Sequence, residues 1–255
     1  MTAVVTIANQ KGGVSKTTTA RHLAYFLDEM GKRVLVIDND HQGNLTQYFG
    51  FHPIEVDEEL GSMYHVYAGE RPLPDILLGA TPNIMLAPAS LSLAHVGPRL
   101  ATRVDADRTL KLTIDQIKEE YDVVLIDCGP NLERLLVNAL MASQYVLIPT
   151  KTDAMSVSGI PALVETISAV QTSNPALGIL GILPTIYHAN RTADSTTLAE
   201  LREQAEAAGV RVFDPIPSAT NYDKAGAEGK PVFELFPDTP GRAEYNALAE
   251  VISHL

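Results

Sequence analysis

Lys11 and Lys16 stand on either side of a glycine pair in the run Asn9-Gln10-Lys11-Gly12-Gly13-Val14-Ser15-Lys16-Thr17-Thr18. Glycines lack a Cβ, so their backbone N–H groups can close on a phosphate. A lysine at the end of such a loop reaches β- and γ-phosphates, and a threonine hydroxyl in the Thr17 position holds Mg²⁺. Residues 11–18, that is Lys11, Gly12, Gly13, Val14, Ser15, Lys16, Thr17 and Thr18, are therefore candidate contacts for a nucleoside triphosphate. The spelling is irregular. Ser15 stands where the general pattern has glycine before the lysine, and Gln10 stands where it has its first glycine. The setting supports the assignment: an apolar run at 3–8 precedes the loop. A helical pattern follows it, with Ala20, Leu23, Ala24 and Leu27 on one face, and adds the positive end of its dipole.

Two acids close further apolar runs. Asp38 ends the run 33–38 and is followed by Asn39-Asp40-His41-Gln42-Gly43-Asn44; Asp127 ends 121–127 and is followed by Cys128-Gly129-Pro130. Carboxylates at the carboxyl ends of parallel strands sit where open α/β sheets bind ligands. Asp127 fits the acid that holds Mg²⁺ through water, with Thr17 and Asp38 as the other candidate metal residues. Lys11 enters the loop from the side opposite to Lys16, which points to phosphates held by a second subunit.

The elements that must position these residues alternate in the manner of a parallel sheet with crossover helices. Strands are expected at 3–8, 33–38, 84–87, 122–127, 145–149 and 178–183. Helices are expected at 16–30, 90–101, 107–119, 131–142, 157–171, 194–208 and 241–254. Residues 51–80 carry Pro53, Pro72 and Pro74 and are the least regular stretch. Within it Asp57-Glu58-Glu59 is expected as solvated surface, and Tyr64, His65 and Tyr67 as helix packing. The fold class is α/β, a mostly parallel twisted sheet with helices on both faces.

Together the loop, the Asp38–Asn44 stretch and Asp127 with Pro130 resemble the ParA/Soj family of deviant-Walker P-loop NTPases, relatives of MinD. The resemblance continues more loosely through Asn138-Ala139-Leu140, Ile148-Pro149 and Gly229-Lys230-Pro231, and it implies a single ATPase domain over 1–255. It also implies ATP and Mg²⁺ as cofactors, an ATP-bound homodimer in which Lys11 crosses to the partner subunit's phosphates, and slow hydrolysis stimulated by a ParB-like activator. Lys11, Lys16 and Asp40 become the catalytic set, with Asp40 orienting the attacking water. Gly129 offers its amide to the γ-phosphate within a 127–131 switch, and Pro217 and Ala219 meet adenine. Ser15 replaces the family's usual glycine; at a positive φ it would cost of order 1 kcal/mol, whereas at an ordinary φ its hydroxyl would lie close to the γ-phosphate and alter hydrolysis. His41 replaces a common proline and is expected to loosen the turn after Asp40.

Composition bounds the partners. The 255 residues are 45% hydrophobic, enough for a full α/β core. No apolar stretch approaches the ~20 residues of a membrane span, and the apolar residues of the last helix read as core packing. One cysteine, Cys128, excludes an internal disulfide and a four-thiolate cluster, and suggests a reducing, cytoplasmic location. The family binds double-stranded DNA non-specifically, implying nucleoid association, but the net charge of −12 gives no help to phosphate contacts. The 216–222 loop, where relatives carry arginines, has none; Arg191, Lys224, Lys230 and Arg242 are the candidate replacements. A positioning ATPase for another cargo, a MinD-like membrane switch and an ATP-dependent biosynthetic ligase of the same fold are the alternatives.

Overall fold

The computed structural model describes residues 2–130 and 134–255. One sheet runs through it, built from β1 (Ala3–Ile7), β2 (Val34–Asn39), β3 (Leu78–Gly79), β4 (Ile84–Ala87), β5 (Val123–Cys128), β6 (Tyr145–Lys151) and β7 (Gly178–Thr185). Their order is β3-β4-β2-β5-β1-β6-β7. Every neighbouring pair is parallel except β3 with β4.

The strands are near-continuous apolar runs because both faces are covered. Val4, Leu35, Val124 and Val146 point to one face, where the helices Thr109–Ile114, Arg134–Ala142 and Ile160–Gln171 pack. Val5, Ile7, Val36 and Leu147 point to the other, covered by Lys16–Glu29 and Arg242–Ser253. Parallel strands place all their carboxyl ends on one edge, and every sequence-predicted acid arrives there.

All six expected strands are present within one or two residues. Several helices are shorter or divided. The expected 90–101 helix is a 3₁₀ turn at Leu91–His95 and an α-helix at Gly97–Ala101, with Gly97-Pro98 marking the break. The expected 107–119 helix is α-helical only at Thr109–Ile114. The expected 157–171 helix is a short turn at Ala154–Val157 and a longer helix from Ile160, divided at Gly159 with Pro161 opening the second part. The first three residues of the expected 131–142 helix lie outside the described residues; from Arg134 to Ala142 it is helical.

Residues 51–80 are more ordered than their prolines suggest. Pro53 opens a helix to Glu59, a position proline favours, and a second helix covers Met63–Ala68. Tyr67 is wholly buried, as the packing expectation required. Asp57 is the correction: it is half-buried and accepts hydrogen bonds from the Ser62, Ser90 and Ser92 hydroxyls, while Glu58 and Glu59 are exposed. In the last helix Tyr245, Leu248 and Ile252 are buried as expected, but Leu255 is exposed.

One aromatic box ties the first helix to the last. His22 stacks on Tyr245 at 5.3 Å and meets Tyr48, Tyr222 and Phe233 edge-on. Its Nδ1–H donates to the Thr18 carbonyl (2.6 Å), and its Nε2 accepts from the Val232 amide (3.0 Å). Both nitrogens are satisfied in the neutral ring, and burial lowers its pKa from 6.5 to about 3. Below about 6.5 the unfolded chain takes up a proton that the folded protein refuses, so the ring's contribution is complete above that pH and is lost on acidification. Urea unfolding at pH 7.5 and pH 5 is expected to show the wild type losing about 2 kcal/mol from this group, a loss that His22→Gln does not share.

Candidate functional site

The loop between β1 and the Lys16–Glu29 helix lies at the carboxyl edge, next to β5 on one side and β6 on the other. Asn9 anchors its start: its side chain donates to the Pro149 carbonyl (2.7 Å) and accepts from the Lys11 amide (3.0 Å). Val14 is buried, and its carbonyl accepts from the Thr185 hydroxyl (3.1 Å). Gly12 and Gly13 between these anchors are exposed, and a Cβ on Gly12 would meet nothing within 4 Å. Gly13 has φ +68°, the left-handed region that glycine enters freely.

Ser15 has φ +65° and ψ +30°. It is one of two non-glycine residues with positive φ among the described residues. The strained alternative for this position is therefore the one the structure adopts. Its carbonyl accepts the first helical bond from Thr19 (2.8 Å), but its side chain makes no capping bond. Four amides at the helix start are left pointing into the loop.

Asp38 and Asp127 are register partners on β2 and β5, and both are fully buried. They differ in what they touch. The Thr46 amide and hydroxyl donate to Asp38 Oδ2 (2.8 and 2.7 Å), and the Asp40 amide donates to its Oδ1 (3.2 Å). Burial still raises its pKa to about 7. Asp127 has no hydrogen-bond partner on either oxygen among the described residues. Burial and the neighbouring Asp38 charge push its pKa well up, although the Thr17 hydroxyl and Lys16 ammonium lie close enough to oppose them. Lys16 is itself buried, its pKa lowered by desolvation and partly restored by Asp127, and its Nζ donates to the Lys11 carbonyl (2.9 Å).

Asp40 begins a tight turn. Its Oδ1 accepts from the Gln42 amide (3.1 Å), its carbonyl accepts from Gly43 (2.9 Å), and His41 Nδ1 lies 3.6 Å from the same Oδ1. The His41 ring thus sits beside the carboxylate at the start of the turn it was expected to loosen. A Cβ on Gly129 would come within 3.0 Å of Asp40 Oδ1, so the candidate switch glycine and the candidate catalytic acid are in contact. The last member of the expected 127–131 switch, Asn131, lies outside the described residues. Pro217 and Ala219 line a pocket of ≈ 130 Å³ with Ser15, Thr18, Ile186 and Tyr222. Ile186, a β-branched residue at φ +54°, is strained. It is held there by Tyr187, whose amide donates to Ile216 O (3.0 Å) and whose carbonyl accepts from Ser218 (2.9 Å).

Lys11 is half-buried, with its stem laid over Gly159: a Cβ there would lie 3.2 Å from Lys11 Cε. Sequence reasoning missed several supports. Thr46 fixes Asp38. Asn39 accepts from the Tyr67 hydroxyl (2.9 Å) and donates to Leu135 O (2.9 Å), so it ties β2 to the helix after the switch. Lys151 stands beside Gly13. Its sequence signal was a lysine at the end of an apolar run at this edge. Cys128 is buried with a raised pKa, matching the inert reading.

Residues 2–179 match the AAA domain family. The chromosome-partitioning ATPase Soj of Thermus thermophilus is 36% identical, over 97% of this chain and 94% of that protein. The chromosome partitioning protein ParA of Caulobacter vibrioides is 35% identical, over 98% and 94%. The chain belongs to the ParA/Soj family of deviant-Walker ATPases. Among solved structures, cobyrinic acid a,c-diamide synthase of Mycobacterium smegmatis with bound ADP and magnesium superimposes with a TM-score of 0.83. It is 32% identical and covers 98% of this chain and 93% of its own. The ParA/Soj chain is thus also similar to a biosynthetic enzyme.

The left-handed serine makes a stability test. Ser15→Gly is expected to raise the unfolding free energy by up to about 1 kcal/mol, the cost of a side chain at positive φ. Chemical denaturation without nucleotide checks it; an unchanged or lower stability would mean that the serine is not strained in solution.

Proposed function

We propose that this chain is a dimerising, ATP-dependent partition ATPase that positions plasmid or chromosomal DNA, as a single ATPase unit, with hydrolysis stimulated by a ParB-type partner. The observation that carries the reading is the buried, unpartnered Asp127 carboxylate facing Lys16 and Thr17 beneath an open glycine loop. A desolvated acid with no donor is costly unless a cation completes it, so the residues fit Mg²⁺. Among the described residues no three His, Cys, Asp or Glu side chains gather as a self-sufficient metal cage. That suits magnesium, which takes one or two carboxylates and fills its shell with phosphate and water. The bound ion would neutralise charge on the transferring phosphoryl group.

Asp127 and Thr17 would hold the metal. Asp38, with three donors already on it, would stand behind them and fix the turn that carries Asp40. The loop amides would cradle the phosphates, and Lys16 would leave the Lys11 carbonyl to reach them. Asp40, held by the Gln42 amide against Gly129, would orient the attacking water. Lys11 would serve the partner's nucleotide from its shelf on Gly159, and Pro217 and Ala219 would flank the adenine. Phosphoryl transfer needs little else, since positioning and electrostatics supply most of the catalysis.

DNA is the finer part of the proposal. Arg191 and Lys224 are exposed and form no ion pair among the described residues, whereas Lys230 and Arg242 are paired with Glu234 and Glu29. The first two are therefore the better candidates for phosphate contacts. The second reading, a family member serving another cargo or a biosynthetic reaction, is favoured by the loop at 216–222 without a basic residue and by the synthase likeness. Among the described residues no helix is long and apolar enough to cross a membrane.

Lys16→Ala is expected to abolish ATP binding by calorimetry. Asp40→Ala should bind ATP normally, turn over at least about 100-fold more slowly, and accumulate dimer in sedimentation; normal turnover would remove its role. ATP, and not ADP, should confer retention of random duplex DNA that falls steeply with salt and weakens in Arg191→Ala/Lys224→Ala. Nucleotide-independent or absent retention would favour the second reading.

A further inference from the structure

We propose that Lys151 is a third phosphate-facing lysine, acting within the same subunit on the nucleotide that Lys16 serves. β6 lies next to β1 and runs on past Pro149 to end at Lys151, in register with Thr185 of β7. The Thr185 hydroxyl bonds both the Thr150 carbonyl (3.2 Å) and the Val14 carbonyl (3.1 Å), so this strand end is fastened directly to the loop. The Lys151 ammonium then stands over the loop backbone: a Cβ on Gly13 would lie 3.6 Å from its Nζ.

The charge at that point has no counter-ion. Lys151 is half-buried, and among the described residues no carboxylate lies within ion-pair range of it. The acids nearest in sequence and across the strand end are committed elsewhere. Asp153 accepts from the amide (2.8 Å) and hydroxyl (2.9 Å) of Ser156, capping the short helix that follows. Asp194 accepts from the Thr152 hydroxyl (3.2 Å) and the His188 amide (3.0 Å). An ammonium held beside exposed backbone amides and left without an acid is an anion site, because charge-assisted bonds from both kinds of donor converge. The anion that belongs beside Gly13 is the polyphosphate of the nucleotide.

Gly13 borders the ammonium. Its positive φ disfavours any side chain, and a Cβ there would sit in van der Waals contact with Lys151 Nζ. With Lys11 over Gly159 and Lys16 under the loop, Lys151 supplies a cation on a flank that neither covers.

The inference rests on the nucleotide reading of the loop, and the test separates the two. Calorimetry on the full chain would compare ADP and a non-hydrolysable ATP analogue, with Mg²⁺, for wild type, Lys151→Gln, Lys151→Arg and Lys16→Ala. Lys151→Gln is expected to weaken binding by about tenfold, the scale of one charge-assisted hydrogen bond. Its affinity should also depend less on salt, Lys151→Arg should recover most of the loss, and the melting temperature of the nucleotide-free proteins should be unchanged. Affinity within twofold of wild type for Lys151→Gln, while Lys16→Ala loses binding, would overturn the role of Lys151 alone. Undiminished binding by Lys16→Ala would overturn the nucleotide site and this inference with it.

Discussion

Holding Asp127 and Lys16 out of water beside each other is the constraint on which the remaining structure depends. Either charge alone would be expelled or neutralised, since isolated buried ions cost far more than a typical fold can spare. The sheet makes the arrangement possible by carrying Asp127 at the end of β5, walled by β1 and β2, with Asp38 in register beside it. The raised pKa values of the two acids and the lowered one of Lys16 share a first cause, desolvation. Asp38 is tolerated because three donors reach it. Asp127 is not so provided, and its unmet demand is what a bound cation would satisfy.

That constraint explains the division of labour around the loop. Thr46 satisfies Asp38 and, through its hydroxyl, also accepts the Ala89 amide (2.9 Å), linking the turn after β2 to the end of β4. Asn39, one residue on, reaches across β5 to Leu135. Asp40 is therefore carried by a segment braced on both sides, and its contact with Gly129 is set by that bracing. The water-orienting role proposed for Asp40 would need such fixity, because misplacement of about 1 Å can cost 100-fold in rate.

Much of this was legible in the sequence, for reasons that are themselves physical. Strands buried on both faces show as unbroken apolar runs, so β1, β2, β4, β5, β6 and β7 were found, and the acids at their ends marked the ligand edge. β3 was missed because two residues at a sheet margin carry no pattern. The helix Pro53–Glu59 was missed because the prolines of 51–80 marked the stretch as irregular, where Pro53 in fact opens a helix. Asp57 was assigned to solvent from its acidic neighbours, when three distant serines decide its environment. Of the site, the loop and the acids were found from spacing. Thr46, Asn39 and Lys151 were not, since each acts through a contact between separate elements. Ser15 shows the limit most directly: two backbone conformations were open to it, and the fold chose the strained one.

The strain at Ser15 and the charges around it bear on how an acidic protein can handle polyanions. A net charge of −12 repels DNA and nucleotide alike at long range. Within a Debye length of about 10 Å at 0.1 M salt, however, local sign outweighs the total. Around the loop Lys11, Lys16 and Lys151 stand against Asp38, Asp40 and Asp127, while Asp153 and Asp194 are drawn away into hydrogen bonds of their own. Elsewhere many cations are already spent on acids, as Lys230 is on Glu234 and Arg242 on Glu29. Three lysines are thus gathered at the loop, and the proposed DNA-binding surface would draw on the cations that are neither there nor paired with acids, Arg191 and Lys224 among them. In the proposed dimer two subunits would pool those cations, and that pooling is how an acidic chain of this kind would gain affinity for a duplex.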